Sequence, residues 1–340
     1  MFEDNNIKKM LEIMDQITNA IPNAKPEKYQ SHIFWSPKTN SDDGRVCGFR
    51  LYAYGGYVLR IFIEKNQLKY ETNFQKYKDN YFEDLWDKDF ETKIKENKLH
   101  QSSNKIDTLL GITDLWIPIL EAYKKRMYGE GKVDRKYFER GRATTIARKL
   151  ELDSDLQDFC IIEQESRIKV SEKKPDLIGV RNENGKTVIS FIEYKCTKSG
   201  MSGVSITEHF EDMVKFYQDV NMDAGYKTLY EQMLDFAELK LKQLKAAFKV
   251  SSIDSGEIVF LFSNIGTKNG ISAQKIYNDV CRLIYTCKDY PENKDKVKFL
   301  ILKNEEDDEY ELYSPNAYMD AETFLKHECF RGCDKTQWKK

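Results

Sequence analysis

Two carboxylates and an ammonium group occur within one short segment of the chain, Pro175 to Lys195. Asp176 opens a first apolar run, and Glu193 and Lys195 close a second one. An Asn-Gly pair at 184–185 stands between the two runs, and this pair is the strongest short-range signal for a β-hairpin. A two-residue turn there predicts that Asp176 faces Glu193 across paired strands, with Cβ atoms about 4.5–5.5 Å apart.

Lys195 is two residues beyond Glu193, so we expect both side chains on one face of the sheet. Like charges directly opposite on neighbouring strands are destabilising, which favours a divalent cation shared by Asp176 and Glu193. Mg²⁺ binds one or two carboxylates and keeps sites for water and phosphate. The ammonium could then orient or activate water, or neutralise charge on phosphate. Two alternatives stay open: a surface carboxylate pair with Lys195 as a salt-bridge partner, and a bulge or longer turn that breaks this register.

The order of these residues resembles the PD-(D/E)XK nuclease superfamily, which has the restriction-endonuclease-like fold. Pro175-Asp176 matches the first half of the motif, and Glu193-Tyr194-Lys195 matches the second half. The motif is short, and its specificity comes from both halves lying on predicted neighbouring strands in register. The resemblance covers the chain from about residue 132 to residue 303.

The resemblance implies a role for each residue of the motif. Asp176, Glu193 and the main-chain carbonyl of Tyr194 would bind Mg²⁺, for which Mn²⁺ could substitute. Lys195 would position or activate the water for in-line attack on a phosphodiester. In the superfamily a helix before the first core strand often supplies a further acidic residue, and Glu139 resembles that residue. Glu139 extends the apolar stripe of a predicted helix, where a carboxylate is costly unless it is paired or metal-bound; pairing with an arginine is the alternative.

Two basic residues near the motif are candidate substrate-binding residues. Residues 131–150 hold seven Lys or Arg against two Asp or Glu, the clearest basic run in the chain. Arg140 in this run and Lys198 in the small-residue loop after the motif could contact phosphate. A solvated helix face and an ordinary connecting loop are the alternatives for these residues.

The elements around the motif follow the order of the superfamily core. The sequence predicts, in order, a helix to about residue 150, a strand over 158–170, the two hairpin strands, a helical layer over 207–250, a strand over 257–265, a helix over 272–287 and a strand over 297–302. Simple alternation on the first strand places Glu163 on the same face as Ile161. Glu163 and Glu165 are reserve metal-site candidates, with solvated strand positions as the alternative.

The predicted fold class is α/β (α+β overall), with two domains. Residues 131–340 would form a restriction-endonuclease-like core in which helices flank a central mixed sheet. Residues 1–130 would form an N-terminal α+β domain that recognises substrate, binds a partner or forms a dimer. Its predicted elements are an amphipathic helix over 5–21 and a β-meander over 45–71, with turns at Gly55-Gly56 and Asn66-Gln67.

Composition limits the classes of function. The chain has 340 residues, 54 Lys or Arg, 56 Asp or Glu and a net charge of −2, so any phosphate binding must be local. The polar first ten residues lack the apolar core of a signal peptide, and the odd number of cysteines, seven, favours reduced thiols in a cytoplasmic protein. No apolar run approaches the roughly 20 residues that cross a bilayer. The cysteines lack the CxxC pair of a typical zinc site, and no Walker, GxGxxG or GxSxG motif occurs.

These observations predict a Mg²⁺-dependent nuclease. The resemblance favours a DNA endonuclease of a restriction or anti-phage defence system, acting as a homodimer or within a complex, and RNA is an alternative substrate. The alternative from another class is a catalytically inactive module that keeps the fold, binds nucleic acid or protein, and uses the acidic hairpin structurally. His209, a lone histidine on the helix after the motif, is expected to be structural or at the surface.

Overall fold

The chain forms two compact units, and each has its own β-sheet. The first unit consists of residues 1–149 and 239–246, and the second of residues 150–238 and 247–340. The domain boundary predicted near residue 130 stays a prediction. The computed structural model describes residues 4–21, 32–39, 46–72, 88–96, 113–128, 135–152, 159–164, 174–196, 205–222, 226–245, 249–250, 252–253, 255–267, 270–304, 310–312 and 318–338.

The first unit contains a four-stranded antiparallel sheet in the order β1-β2-β3-β4. Its described elements are α1 (Asp4–Ala20), β1 (Ile33–Thr39), β2 (Val46–Ala53), β3 (Gly56–Glu64), β4 (Gln67–Thr72), α2 (Lys88–Glu96), α3 (Thr113–Tyr128) and most of α4 (Arg135–Leu152). The predicted meander is confirmed as β2 to β4. Strand β1 was missed, because Pro37 and the polar residues around it conceal the alternation that marks a strand.

The two turns of the meander each lie one residue earlier than predicted. Tyr54 and Gly55 connect β2 to β3, and Lys65 and Asn66 connect β3 to β4, all with φ between 49° and 86°. Two successive residues with positive φ form the turn whose twist matches that of paired strands. Pro118 lies inside α3, which continues past it to Tyr128.

The second unit contains a six-stranded sheet in the order β10-β9-β8-β7-β6-β5. Its elements are β5 (Phe159–Gln164), β6 (Leu177–Glu183), β7 (Lys186–Lys195), α5 (Ile206–Met222), α6 (Tyr226–Leu244, whose last residues belong to the first unit), β8 (Ser255–Phe262), α7 (Ala273–Thr286), α8 (Tyr290–Asn293), β9 (Val297–Asn304), β10 (Tyr310–Leu312) and α9 (Ala321–Leu325). Strands β7, β8 and β9 are parallel and the other pairs are antiparallel. The mixed α/β class is therefore confirmed.

The hairpin of β6 and β7 has the predicted register. Leu177 pairs with Ile192, and Glu183 pairs with Lys186 next to the turn. The turn residues Asn184 and Gly185 have φ of 54° and 82°. The side-chain oxygen of Asn182 also accepts a hydrogen bond of 2.8 Å from the Gly185 amide. A two-residue turn with this geometry fixes the pairing of every residue beyond it.

Helix α5 covers the sheet face that carries Phe191. The Phe191 ring meets the Phe216 ring of α5 edge-on at a centroid distance of 5.0 Å, and neither side chain is exposed. Strand β8 is buried from Gly256 to Phe262, as expected for a parallel strand with both faces covered. None of the described helices combines the length and the apolar composition needed to cross a membrane.

A β-bulge in the edge strand β5 moves Glu163 to the other face of the sheet. Ile161 pairs with Gly179, but Glu163 pairs with Ile178, so the register shifts between them. The prediction that Glu163 shares a face with Ile161 is therefore wrong, because the extra residue reverses the alternation. Glu163 lies on the face of Ile178 and Phe191 and is only 4% exposed, so the solvated alternative for this residue is wrong as well.

A second group of buried charges lies on the opposite face, near the turn end of the hairpin. Both carboxylate oxygens of Glu257 accept hydrogen bonds from Arg181, at 2.9 and 2.7 Å. Ser190 Oγ donates a third bond of 2.6 Å to the same carboxylate, and the Arg181 guanidinium lies 4.6 Å from the centre of the Tyr318 ring. A bidentate pair with additional hydrogen bonds compensates for the desolvation of both charges.

We predict that Gly185→Ala destabilises the hairpin by about 1–2 kcal/mol, the cost of holding an L-residue in the left-handed conformation. A Cβ at Gly185 would meet no atom within 4 Å, so the cost is conformational and not steric. Asn184→Gly is the matched control, because glycine adopts positive φ readily, and its stability should stay within about 0.5 kcal/mol of wild type. Urea denaturation measures both changes. Equal stabilities of Gly185→Ala and wild type would contradict this turn geometry.

Candidate active site

The centre of the candidate site is a buried ion pair on strand β7. Lys195 Nζ lies 2.7 Å from Glu193 Oε1, and the two residues are only 6% and 7% exposed. Both side chains point to the face that carries Phe191, because the three residues alternate along one strand. A carboxylate or an ammonium group this deeply buried is costly without a partner. The prediction that Glu193 and Lys195 share a face is confirmed, and the alternative of a surface pair is wrong for these two residues.

His209 in the first turn of helix α5 completes this group. Its Nδ1 lies 2.9 Å from Glu193 Oε1, the oxygen that also contacts Lys195. An ionised carboxylate can only accept hydrogen bonds, so Nδ1 must carry a proton and donate it. The other ring nitrogen, Nε2, is buried and has no hydrogen-bond partner among the described residues. Two donors thus hold one oxygen of Glu193, which restricts the rotation of its carboxylate.

The balance of charges keeps Glu193 ionised. Burial by itself would raise the pKa of Glu193, but the Lys195 ammonium and the hydrogen bond from His209 outweigh burial, and the pKa is lowered. An opposite charge within hydrogen-bond distance favours the charged form of a carboxyl group. The site therefore presents an anionic oxygen in a region from which water is largely excluded.

Asp176 directly precedes Leu177, which pairs with Ile192 at the end of the paired strands. The Asp176 side chain reaches the main chain of β7, where its Oδ2 accepts a hydrogen bond of 2.9 Å from the Tyr194 amide. The Tyr194 side chain points to the opposite face, where its hydroxyl lies 2.7 Å from Ser263 Oγ. Only the main chain of Tyr194 can therefore contribute to the site.

The donors of this group are of the type that a hard divalent cation prefers. Asp176 and Glu193 offer carboxylate oxygens, and the Tyr194 carbonyl points to the same edge of β7 as the amide that Asp176 contacts. Among the described residues, no three His, Cys, Asp or Glu side chains converge in a way that could hold a metal ion. Mg²⁺ uses few protein ligands and fills its remaining positions with water and phosphate, so its binding by Asp176, Glu193 and the Tyr194 carbonyl stays a prediction.

No protein-family model matches the chain, and no curated protein or solved structure matches it. The geometry of the site itself must therefore support any function.

The remaining predicted residues do not join this group in the described part of the chain. Glu139 and Arg140 lie on helix α4, where the structure describes the backbone but not these side chains. Lys198 and Glu165 lie outside the described residues. Glu163 shares a sheet face with Glu193 but sits on the edge strand, with β6 between them. The roles of all five remain predictions.

Sequence reasoning missed the contact of His209 with Glu193. The prediction that His209 is structural or at the surface did not use its position in the first turn of the helix that follows β7 in the chain. A helix that returns to pack on the sheet brings its first turn back toward the end of the strand before it. That placement is the signal that could have identified His209.

We predict that Glu193→Gln lowers the free energy of unfolding by about 3–5 kcal/mol at pH 7, because Lys195 then lacks a buried counter-charge. The pKa of Glu193 is lowered in the folded chain. Its stabilising contribution is therefore present above about pH 4.3, the pKa of a free glutamate, and is lost as the pH falls below that value. Urea denaturation of wild type and variant should show a difference that shrinks between pH 7 and pH 3.

Glu211→Gln is the control for this measurement, because Glu211 is exposed on the same helix as His209. We expect this control to change stability by less than about 0.5 kcal/mol. Equal free energies of unfolding for Glu193→Gln and Glu211→Gln at pH 7 would show that the buried ion pair does not stabilise the fold as predicted.

Proposed function

We propose that the chain is a metal-dependent nuclease that hydrolyses phosphodiester bonds in DNA. The observation that carries the proposal is the arrangement of Asp176, Glu193 and Lys195 at the end of the hairpin. The register of the hairpin ends at the pair of Leu177 and Ile192, next to Asp176 and Glu193, and Lys195 contacts Glu193 on the same face. Two carboxylates and an ammonium group at the end of paired strands are the groups that phosphodiester hydrolysis with a divalent cation requires.

The order of elements from α4 to β8, which begins with a helix that lies mostly in the first unit, supports a restriction-endonuclease-like core. Helix α4 precedes β5, β6 and β7, then α5 and α6 precede β8, which is the α-β-β-β-α-β order of the superfamily that the motif resembles. The sheet is mixed, and helix α5 packs on the face that carries the candidate site. Fold order and motif position therefore favour the same family.

Each residue of the site has a distinct role in this proposal. Asp176, Glu193 and the carbonyl of Tyr194 would hold Mg²⁺ or Mn²⁺, which supplies positive charge to the phosphate and lowers the pKa of bound water. Lys195 donates hydrogen bonds to the attacking water and to a phosphate oxygen. Hydrolysis forms a bond from the water oxygen to phosphorus and breaks the bond from phosphorus to the leaving oxygen. The attacking water releases a proton to solvent, and the leaving oxygen takes one up from solvent. His209 acts as a positioning residue that holds the Glu193 carboxylate in place.

Two substitutions that preserve shape test this assignment. Asp176→Asn keeps an oxygen that can accept the Tyr194 amide but removes the charge, and Lys195→Met keeps most of the apolar stem but removes the ammonium. We expect each to lower the rate of Mg²⁺-dependent cleavage by at least about 100-fold. The assay uses supercoiled, linear and single-stranded DNA, and RNA, with Mg²⁺, Mn²⁺ or EDTA.

Lys215→Gln is the control, because Lys215 is exposed on helix α5 and has no part in the proposed mechanism; its activity should equal that of wild type. Circular dichroism verifies that every variant is folded. Undiminished cleavage by folded Asp176→Asn and Lys195→Met would remove both residues from the mechanism. Cleavage of RNA alone would replace DNA as the substrate.

A second function, a catalytically inactive binding module, is favoured by one observation. Lys195 contacts Glu193 directly, and an ion pair of this kind can be wholly structural. In that case the site would have no affinity for a divalent cation. The homodimer, the defence complex and the restriction or anti-phage role remain proposals in either case.

Metal binding separates the two functions. For a nuclease we expect Mg²⁺ at 10–100 times its dissociation constant to stabilise the folded chain by about 1–3 kcal/mol, seen as a rise in Tm. This rise should disappear in Glu193→Gln and persist in Glu211→Gln. A Tm that is independent of Mg²⁺ in all three proteins would support the inactive module and contradict the nuclease.

A further inference from the structure

Two arginines face each other across neighbouring strands in the first unit. Arg50 on β2 pairs directly with Arg60 on β3, and both side chains are partly exposed. Like charges in directly opposed positions of an antiparallel pair are destabilising. An anionic group close to the pair would offset this repulsion.

Arg60 is held firmly in place. It forms an ion pair with Glu71, its partner on β4, and its guanidinium lies 4.8 Å from the centre of the Phe62 ring. A carboxylate on one side and an aromatic face on the other restrict the guanidinium plane. Its Nε is buried and has no hydrogen-bond partner among the described residues. The protein therefore holds this arginine without satisfying all of its donors.

Arg50 has no comparable partner. Among the residues that the structure describes, no carboxylate lies within ion-pair distance of the Arg50 guanidinium, whereas Glu71 forms its ion pair with Arg60. The two arginines together with Glu71 therefore carry one uncompensated positive charge. A guanidinium is always ionised and presents donors in a planar fork that matches phosphate. The missing counter-charge is thus of a kind that a phosphate group could supply.

Tyr57 extends this surface along β3, and Tyr52 lies buried beside it, with 2% of its area exposed. Tyr52 and Tyr57 are partners in the register, with ring centroids 6.2 Å apart. Burial raises the pKa of Tyr57 and outweighs the charges of Arg60 and Arg50, which lower it. The partly exposed Tyr57 therefore keeps its hydroxyl proton and can donate it. Aromatic rings and arginines on one sheet face are suited to the bases and phosphates of a nucleic-acid strand.

We propose that Arg50, Arg60 and Tyr57 form a contact surface for the phosphate backbone of a nucleic-acid strand. The proposal rests on the proposed function in one respect, since it takes nucleic acid to be the ligand. It assigns to the first unit a role in holding the substrate, separate from hydrolysis. The overall charge of −2 makes a small local surface of this kind the expected form of phosphate recognition.

Binding without cleavage tests this surface. Fluorescence anisotropy with labelled single-stranded and duplex DNA, in EDTA and over a range of salt concentrations, gives the affinity and its salt dependence. We expect Arg50→Gln to weaken binding about tenfold at low salt, the loss of one hydrogen-bonded charge contact. The slope of log affinity against log salt should decrease by about 0.7–0.9. Arg50→Lys should keep the slope and lose part of the affinity, because it keeps the charge but not the fork.

Lys8→Gln is the matched control: it removes one positive charge from an exposed position on helix α1, and binding should not change. The same affinity and slope for Arg50→Gln and Lys8→Gln would overturn the proposal, and so would a wild type that binds neither DNA. Cleavage is scored separately with Mg²⁺. Binding that depends on Arg50 without any cleavage would refute the nuclease and leave this surface intact. Cleavage with an unchanged affinity in Arg50→Gln would refute the surface alone.

Discussion

The second unit depends on a pair of opposite charges placed where water hardly reaches them. Glu193 and Lys195 lie on a strand covered by a helix, so each requires the other. This ion pair restricts the residues around it. Strand β7 must stay in register, helix α5 must place a hydrogen-bond donor and not an acidic residue next to Glu193, and the neighbouring positions must stay apolar. His209 and Phe191 meet the last two conditions. The candidate chemistry and the stability of the sheet are thus two consequences of one arrangement.

Local signals allowed the hairpin to be predicted from sequence, whereas long-range contacts escaped prediction. Asn184 and Gly185 determine the pairing by backbone geometry alone, so the register followed from them without knowledge of the rest of the fold. Alternation then gave the shared face of Glu193 and Lys195. The face of Glu163 could not be predicted in this way, because a bulge depends on how the edge strand fits its neighbour. His209 reaches Glu193 only through the packing of helix on sheet, which periodicity does not reveal.

The two units show how a chain with balanced charge can still approach a polyanion. Net charge describes the field far from the protein, whereas contact with phosphate is decided within a few ångströms. The first unit places Arg50 opposite Arg60, with a single carboxylate, Glu71, on the far side of Arg60, and the second pairs Lys195 with a carboxylate that an imidazole also contacts. One arrangement leaves positive charge available at the surface, and the other holds it inside the fold.

The bidentate pair of Arg181 and Glu257 has a consequence for folding. A slip of one residue in the hairpin would carry Arg181 to the apolar face of the sheet and leave Glu257 buried with an unmatched charge, an error that costs several kcal/mol. The pair therefore favours the native register, because a hairpin paired one residue out of register would be less stable in the six-stranded sheet. The same register ends at the pair of Leu177 and Ile192, next to Asp176 and Glu193, so correct pairing also positions the candidate site.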